Sequence, residues 1–514
     1  MNLQFLKSLP FCFAALCVPV HAAVELASPF TAHMVLQRDQ PVPVWGTAEE
    51  GENVTVEFAA QKKTVATDAA GNWRVDLDPL SASSEGRVFR VSGSKSGESI
   101  VLDDVVVGEV WLCSGQSNMV FTLSKSVYKW AGVTNEAKEI EAANYPLIRM
   151  FTGEGTKAYE PQRHVKGEWL VCTSETAPAF SAVGYFFARD LQRELHVPVG
   201  IVALSYGASC AEAWIRRETL AADPKLRPML EKFDEAVKSF RTLPPPSAPS
   251  EERSQDVNAA APKPAAKAPR DPVQDQHNAT VMFNGMIAPV IPYAIRGVLW
   301  YQGESIAGGK DGIALYPHVQ ETLINDWRAL WKQGDFPFYI VQLAGQDKPS
   351  NSPEVREAQA TVLALKNTGM AVATDIGEEK NVHPYNKQDV GDRLARIALA
   401  NVYEKAIEFS GPRYESMSVE GDSIRLRFSH AKGGLVARGG ELKWFEVAGA
   451  DGKYVKADAT IDGVTVVVRS AEVVAPVAAR YAWVNFPDGG HLYNAAGLPA
   501  AQFRTEQASL SPSR

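Results

Sequence analysis

The sequence predicts a doubly wound parallel α/β sheet domain, flanked by N-terminal and C-terminal β-sandwich-like domains. Three observations carry this. Apolar runs at 107–113, 146–151, 199–205, 297–301, 338–343 and 370–374 alternate with helical patterns in mid-chain, as strands covered on both faces do. Short alternating segments punctuated by glycine fill residues 24 to about 106, and strand patterns return from about 406. A chain of 514 residues also exceeds what one ordinary core organises.

Taken in order, residues 1–22 read as an export signal. Lys7 supplies a positive end, a mostly apolar run follows from Leu9 to Val20, and Val20-His21-Ala22 offers small residues for cleavage near Ala22. The run is shorter than the roughly 20 residues a membrane helix needs. Nothing later is long and apolar enough to cross a bilayer, so a periplasmic or secreted protein with no membrane span is expected. Cys12 and Cys17 leave with the signal. Cys113, Cys172 and Cys210 remain, without metal-ligand spacing, so no metal site is expected. One disulfide plus a free thiol, or three buried thiols, both stay open.

Residues 23–106 form the first β-domain, with strands marked by Val42, Val44 and Trp45, by Val54, Val56 and Phe58, and by Val88, Phe89 and Val91. Pro41 and Pro43 place the first of these at a sheet edge, because proline cannot donate to a ladder. Residues 107–405 form the α/β domain. Two of its helices are legible. Val183, Phe187, Leu191 and Leu195 recur every four positions after Ser181, with Phe186 beside them. Val390, Leu394, Ile397 and Ala398 share a face after Asn386, where Asn386 and Asp389 resemble a capping box. The Pro- and Ala-rich stretch 243–275 has almost no large apolar groups and reads as a disordered insertion. Residues 406–507 form the last β-domain, with Ile424, Leu426 and Phe428 alternating in one strand and Val464 to Val468 in another. A net charge of -8 gives no support for nucleic acid as a partner.

Chemistry concentrates at strand ends. The run Gly108-Glu109-Val110-Trp111-Leu112-Cys113-Ser114-Gly115-Gln116-Ser117-Asn118-Met119 takes a strand into a glycine and puts Ser117 just past its carboxyl end, the edge where open α/β sheets bind ligands. The lipase elbow requires glycine two residues after its serine, and this chain has Met119 there. Ser205-Tyr206-Gly207-Ala208-Ser209 and Trp300-Tyr301-Gln302-Gly303-Glu304-Ser305 follow two further strands, and Asn381-Val382-His383-Pro384 lies in the loop after another. A serine hydroxyl needs a base, for which histidine has a suitable pKa. The tetrahedral oxyanion needs N–H donors, which Ser117, Gly207 and the Gln302 amide can supply. Singly, each has a structural alternative: a turn at Gly207, backbone satisfaction by Gln302, a loop cap at His383. His277 and His318 lie outside these blocks and read as structural.

The blocks Gly115-Gln116-Ser117-Asn118-Met119, Tyr301-Gln302-Gly303-Glu304 and Val382-His383-Pro384 resemble the sialate O-acetylesterase family of the SGNH/GDSL hydrolase superfamily. Met34-Val35-Leu36-Gln37, Pro43-Val44-Trp45-Gly46, Glu212-Ala213-Trp214, Asn284-Gly285-Met286-Ile287-Ala288-Pro289, Arg356-Glu357-Ala358-Gln359, Leu492-Tyr493-Asn494 and Gly497-Leu498-Pro499 extend the likeness over nearly the whole mature chain. The resemblance implies an SGNH-type domain and metal-independent, cofactor-free ester hydrolysis. It implies Ser117 as nucleophile, His383 as base, and Gly207 and Gln302 as oxyanion donors. Relatives often read Gly-Gly where this chain has Gly207-Ala208. Superfamily members often carry Asp three residues before the histidine, where this chain has Lys380. Asp375 is the first candidate for the third triad member, followed by Glu378 and Glu379. A backbone carbonyl or the Asn381 amide oxygen are the alternatives that leave a Ser–His dyad.

Trp214, Tyr301 and Glu304 are the expected substrate-pocket residues, since flat aromatic faces suit pyranose rings, although the tryptophan and tyrosine suit a core equally. The expected substrate is an O-acetylated glycan, sialic acid first, with acetylated xylan or xyloglucan as the rival. A non-catalytic carbohydrate-binding protein is the reading from another class.

Overall fold

A computed structural model describes residues 23–243 (apart from 96 and 98), 269–306 and 309–507. The expected signal at 1–22, with Cys12 and Cys17, and positions 244–268 of the expected insertion lie outside the described residues.

The central sheet holds β1 (Ser99–Gly115), β2 (Tyr145–Thr152), β3 (Trp169–Cys172), β4 (Val199–Ser205), β5 (Gly297–Tyr301), β6 (Phe338–Val341) and β7 (Thr368–Ala371). Their order is β3-β2-β4-β1-β5-β6-β7. Neighbours are parallel except for the antiparallel β2–β3 edge. Six of these strands overlap the predicted apolar runs, and β3, the antiparallel edge strand, is one the runs did not mark. Their side chains divide by alternation. Val110 and Leu112 of β1 enter one core, and Trp111 and Cys113 the other. Val298 and Trp300 of β5 part from Leu299 and Tyr301 in the same way. Helices α1 (Ser117–Val120), α2 (Ala182–Leu195), α3 (Gly309–Trp331) and α4 (Lys387–Asn401) accompany the sheet. Phe187 and Leu191 of α2 join Val390 and Leu394 of α4 in one core, whereas Val319, Leu323 and Trp327 of α3 enter the other. Both helix starts lie where the sequence predicts. Ser181 caps α2 by accepting from Gly184 N at 3.4 Å, and Asn386 caps α4 by accepting from Asp389 N at 3.1 Å.

The expected boundary between 106 and 107 falls inside β1. The first half of that strand pairs with Ser83–Gly93 and with Val35–Gln37, and its second half is the middle of the central sheet. Its side chains alternate in exposure up to Asp104 and are buried from Val105 onward. The change in hydrophobic pattern marks a change of cover over one continuous strand. The Val42–Thr47 strand is the middle of a three-stranded sheet rather than its edge. Its second neighbour, Glu25–Leu26, reaches only Thr47 and Gly46, so Pro43 sits where that side is open and no donor is missed.

The end of the expected disordered insertion is ordered: Pro272–Gln274 form a 3-10 turn, Val273 is buried, and Tyr159 donates to the Asp271 carboxylate. A single buried valine and one polar tie suffice over so short a segment. Beyond α4, two four-stranded sheets and a two-stranded one enclose a third core around Ile424, Leu426, Phe445, Val466 and Tyr481. Cys113, Cys172 and Cys210 are free and buried. Burial pushes the Cys172 thiol up to about 12 and the Cys113 thiol higher still. No helix among the described residues is long and apolar enough to cross a membrane.

Candidate active site

Strand register brings three segments to one level. Gly115 at the end of β1 lies opposite Ser205 of β4 and Tyr301 of β5. After β1 the chain builds β2 to β4 on one side and β5 to β7 on the other, so β1 ends at the topological switch point where open sheets hold ligands. Gly115 turns the chain there with φ 133°, and a Cβ on it would lie 2.2 Å from Tyr301 O. Gln116 then locks the turn. Its N–H donates to Tyr301 O at 2.9 Å, and its side-chain oxygen accepts from Gly303 N and Ser305 N, both at 3.3 Å. Ser117 opens α1 immediately afterwards.

His383 reaches this edge from the loop before α4, and its Nε2 lies 2.8 Å from Ser117 Oγ. The loop is pinned by side chains rather than by a ladder. Asn381 Oδ1 accepts from His383 N at 3.0 Å, and Asn381 Nδ2 donates to His383 O at 2.9 Å and to Glu378 at 3.1 Å. Trp130 lies against the imidazole, with ring centroids 4.5 Å apart. Burial, then the positive charges of Lys387 and Lys348, pushes the His383 pKa down to about 4.

Gly207 sits beside the serine: a Cβ on it would lie 3.9 Å from Ser117 Cβ. The N–H groups of Ser117 and Gly207 have no acceptor among the described residues. Ala208 holds φ 55°, a conformation glycine adopts with less strain. Gln302 is fully buried and held at both ends. Its Oε1 accepts from Tyr316 at 2.6 Å, and its Nε2 donates one hydrogen to Ser209 O at 3.2 Å.

Asp375 does not face His383. It lies in a single 3-10 turn after β7, and its two carboxylate oxygens accept from Arg393 of α4 at 2.7 Å each. Tyr493 donates to the same carboxylate at 2.5 Å. Burial raises the Asp375 pKa, but Arg393 and Tyr493 outweigh it and hold the carboxyl below its usual range. A bidentate guanidinium only 7% exposed has first claim on that carboxylate. Glu378 is committed to Asn381 and to Tyr385 N. Among the described residues His383 Nδ1 has no hydrogen-bond partner, and no carboxylate oxygen lies within 4.0 Å of either ring nitrogen. The arrangement is a Ser–His dyad.

The expected pocket residues also divide. Trp214 is fully buried, donates to Ser209 Oγ and packs edge-on against Trp300, so it is core. Tyr301 points into the opposite core by strand alternation. Glu304 lies beside Asn118 and Lys387 and also lines a cavity of about 920 Å³ with Ile306, Ile313 and Val355: Asn118 Nδ2 donates to Glu304 Oε1 at 2.6 Å and to Val382 O at 2.9 Å, and Lys387 Nζ donates to Asn118 Oδ1 at 2.6 Å.

Exposed aromatic groups near the histidine loop include Tyr385, at 44%, and Tyr128 and Trp130, which are 41% and 37% exposed and stacked with centroids 5.3 Å apart. Of these, Tyr128 and Trp130 line a cavity of about 590 Å³ together with Gly207, Tyr206, Gly153 and Ser181. Sequence reasoning missed both, although Val127-Tyr128-Lys129-Trp130 carries large apolar groups with no helical or strand period. Asn118 stood within the recognised serine block without a role, and Lys387 gave no signal.

Residues 276–400 match the family model described as carbohydrate esterase, sialic acid-specific acetylesterase. The rat sialate O-acetylesterase is 30% identical over 90% of this chain and 90% of its own length, and the human one 28% over 90% and 88%. The solved structure of a carbohydrate acetylesterase from Xanthomonas citri is 34% identical, covers 94% of this chain and 100% of its own, and superposes with a TM-score of 0.78. Likeness across the whole described chain, and not at the serine block alone, settles the lineage: the chain belongs to the sialate O-acetylesterase family.

Proposed function

We propose that the protein is a carbohydrate O-acetylesterase that hydrolyses O-acetyl esters of sialic acid through a serine acyl-enzyme. The observation that carries this is the 2.8 Å contact between Ser117 Oγ and His383 Nε2, made by residues from opposite ends of the α/β region. The imidazole, neutral down to about pH 4, accepts the serine proton while Oγ attacks the acetyl carbonyl. The free N–H groups of Ser117 and Gly207 and the second Gln302 N–H are the proposed oxyanion donors, each worth about 3 kcal/mol of barrier. The imidazolium returns the proton to the departing sugar oxygen. Water activated by the same imidazole then releases acetate and frees the serine. Trp130 and Asn381 supply the orientation that a triad acid supplies elsewhere.

Lys157 supports an acidic sugar. Its Nζ stands 4.1 Å over the Tyr206 ring with no carboxylate partner among the described residues, next to the Gly207 turn. The exposed Tyr128 and Trp130 faces favour a second reading, a neutral acetylated xylan or xyloglucan, since pyranose rings stack on such surfaces. Acetate release from O-acetylated sialic acid and from acetylated plant oligosaccharides decides between them: faster release from sialic acid supports the first reading, and release only from neutral glycans replaces it. Ser117→Ala is expected to abolish turnover of a chromogenic acetate ester, and parent-rate turnover would refute the mechanism. Glycan binding with no acetate release by the parent protein would make it a binding protein. The acid limb of kcat/KM is expected near pH 4 rather than 6.5, because the base form persists to that pH. Export with cleavage near Ala22 is proposed from the sequence, and the N-terminal residue of the secreted protein tests it.

A further inference from the structure

The Asn118 side chain ties the serine segment to the histidine loop. It follows Ser117 directly in the chain, and its Nδ2 donates to the carbonyl of Val382, the residue before His383. A carboxamide has two ends of similar shape and opposite hydrogen-bonding sense. Burial pushes the Lys387 pKa down to about 7, so below that pH it is an ammonium that only donates, and it meets Oδ1 at 2.6 Å. Burial raises the Glu304 pKa, and because Oε2 is the atom without a partner and can carry the proton, Oε1 accepts in either state; it meets Nδ2 at 2.6 Å. Flipping the amide would set donor against donor and acceptor against acceptor. The second Nδ2 hydrogen is thereby aimed at Val382 O.

The cluster is largely buried. Asn118 is 1% exposed and Lys387 fully buried. The Lys387 ammonium is faced by the rings of Phe121 at 4.6 Å and Tyr301 at 5.6 Å. Glu304 and Glu378 are the carboxylates that act on it, and Lys348 is the other cation beside His383. A buried lysine with no directly bonded acid is costly to keep, and Glu304 Oε2 is buried with no partner. Packing alone does not call for these groups, since two apolar side chains would fill the space without that cost.

We infer that Lys387 and Glu304 are positioning residues which fix Asn118 in a single orientation and, through Val382, set His383 against Ser117 where no carboxylate among the described residues meets the imidazole. The inference rests on the Ser117–His383 reading above. Lys387 has a second consequence: as a cation near the imidazole it favours the unprotonated base, the form the reaction needs.

The test is steady-state hydrolysis of a chromogenic acetate ester across pH by the full-length protein and by Asn118→Asp, Lys387→Met, Glu304→Leu, Glu304→Gln and Ser117→Ala, each checked for folding by circular dichroism and thermal midpoint. Asn118→Asp sets an acceptor against Val382 O and Glu304, and is expected to lower kcat about 100-fold with KM within about twofold. Lys387→Met is expected to lower kcat and to move the acid limb upward by about half a pH unit or more, because a cation beside His383 is gone. Glu304→Gln keeps an acceptor for Nδ2 and is expected to recover most of what Glu304→Leu loses. A structural role alone would move stability and leave the acid limb in place.

Folded Asn118→Asp and Lys387→Met with parent kcat and parent acid limb, beside an inactive Ser117→Ala, would overturn the inference and leave the dyad standing. Should Asn118→Asp not fold, the Lys387→Met pH profile and the Glu304 pair decide in the same way. An active Ser117→Ala would bring down the dyad and this inference with it.

Discussion

The two halves of the site are held by different means. Ser117 and Gly207, with Gln302 behind them, stand at the ends of β1, β4 and β5, whose ladder runs in register up to Gly115, Ser205 and Tyr301. Backbone hydrogen bonds set their height, and the two buried cores fix which way each strand end faces. His383 stands on an irregular loop, where Asn381, Asn118 and Trp130 do the work that a ladder does elsewhere. The difference teaches where tolerance lies. A ladder spreads its constraint over many equivalent bonds, so it fails only where a backbone conformation is forbidden. A side-chain-pinned loop depends on a few groups, each removable by one substitution.

The largest expected effect is on the strand-borne half, at its one point of weakness. Gly115→Ala forces a side chain into φ 133° and to within 2.2 Å of Tyr301 O, at a cost of about 3 kcal/mol or more. Urea unfolding and esterase turnover should both fall sharply, and a stable, fully active variant would show that the turn is not what sets the serine. Asn381→Ala comes next. It removes both bonds to the His383 backbone, and about a tenfold loss of kcat is expected with only about 1–2 kcal/mol of stability. Equal losses in both measures would blur the distinction between the two halves.

The smallest effect on turnover is expected at Asp375→Asn. Leaving the buried Arg393 with only the more distant Asp389 carboxylate, at 3.7 Å, should cost about 3 kcal/mol of stability, yet kcat should stay within about threefold. Loss of a true triad acid costs about 10,000-fold. A loss of that size at Asp375 would restore it as the third member and break the comparison.

Much of this was legible in the residues. The apolar runs mark six of the seven strands of the central sheet, all but the short antiparallel edge strand Trp169–Cys172, and the four-residue recurrence after Ser181 and the Asn386–Asp389 pair mark two helices. The Gly115-Gln116-Ser117 turn, Gly207 and His383 are legible only together, because a serine, a strand-end glycine and a histidine at one predicted sheet edge suit nucleophile, backbone donor and base. The aromatic residues were not separable in this way. Trp214 and Trp130 have the same side chain, and only the fold sends the first into the core and leaves the second beside the imidazole.

The sequence by itself determined the elements and the candidates, since hydrophobic period and strand-end glycines are local properties. Tertiary structure alone decided what holds His383. A carboxylate goes to whichever cation the fold delivers, and α4 brings Arg393 to Asp375 before the imidazole can reach it. An amide points whichever way its buried neighbours dictate, and Lys387 and Glu304 arrive at Asn118 from positions distant in the chain. Such pairings are set by three-dimensional proximity and competition between partners, which no local spacing encodes.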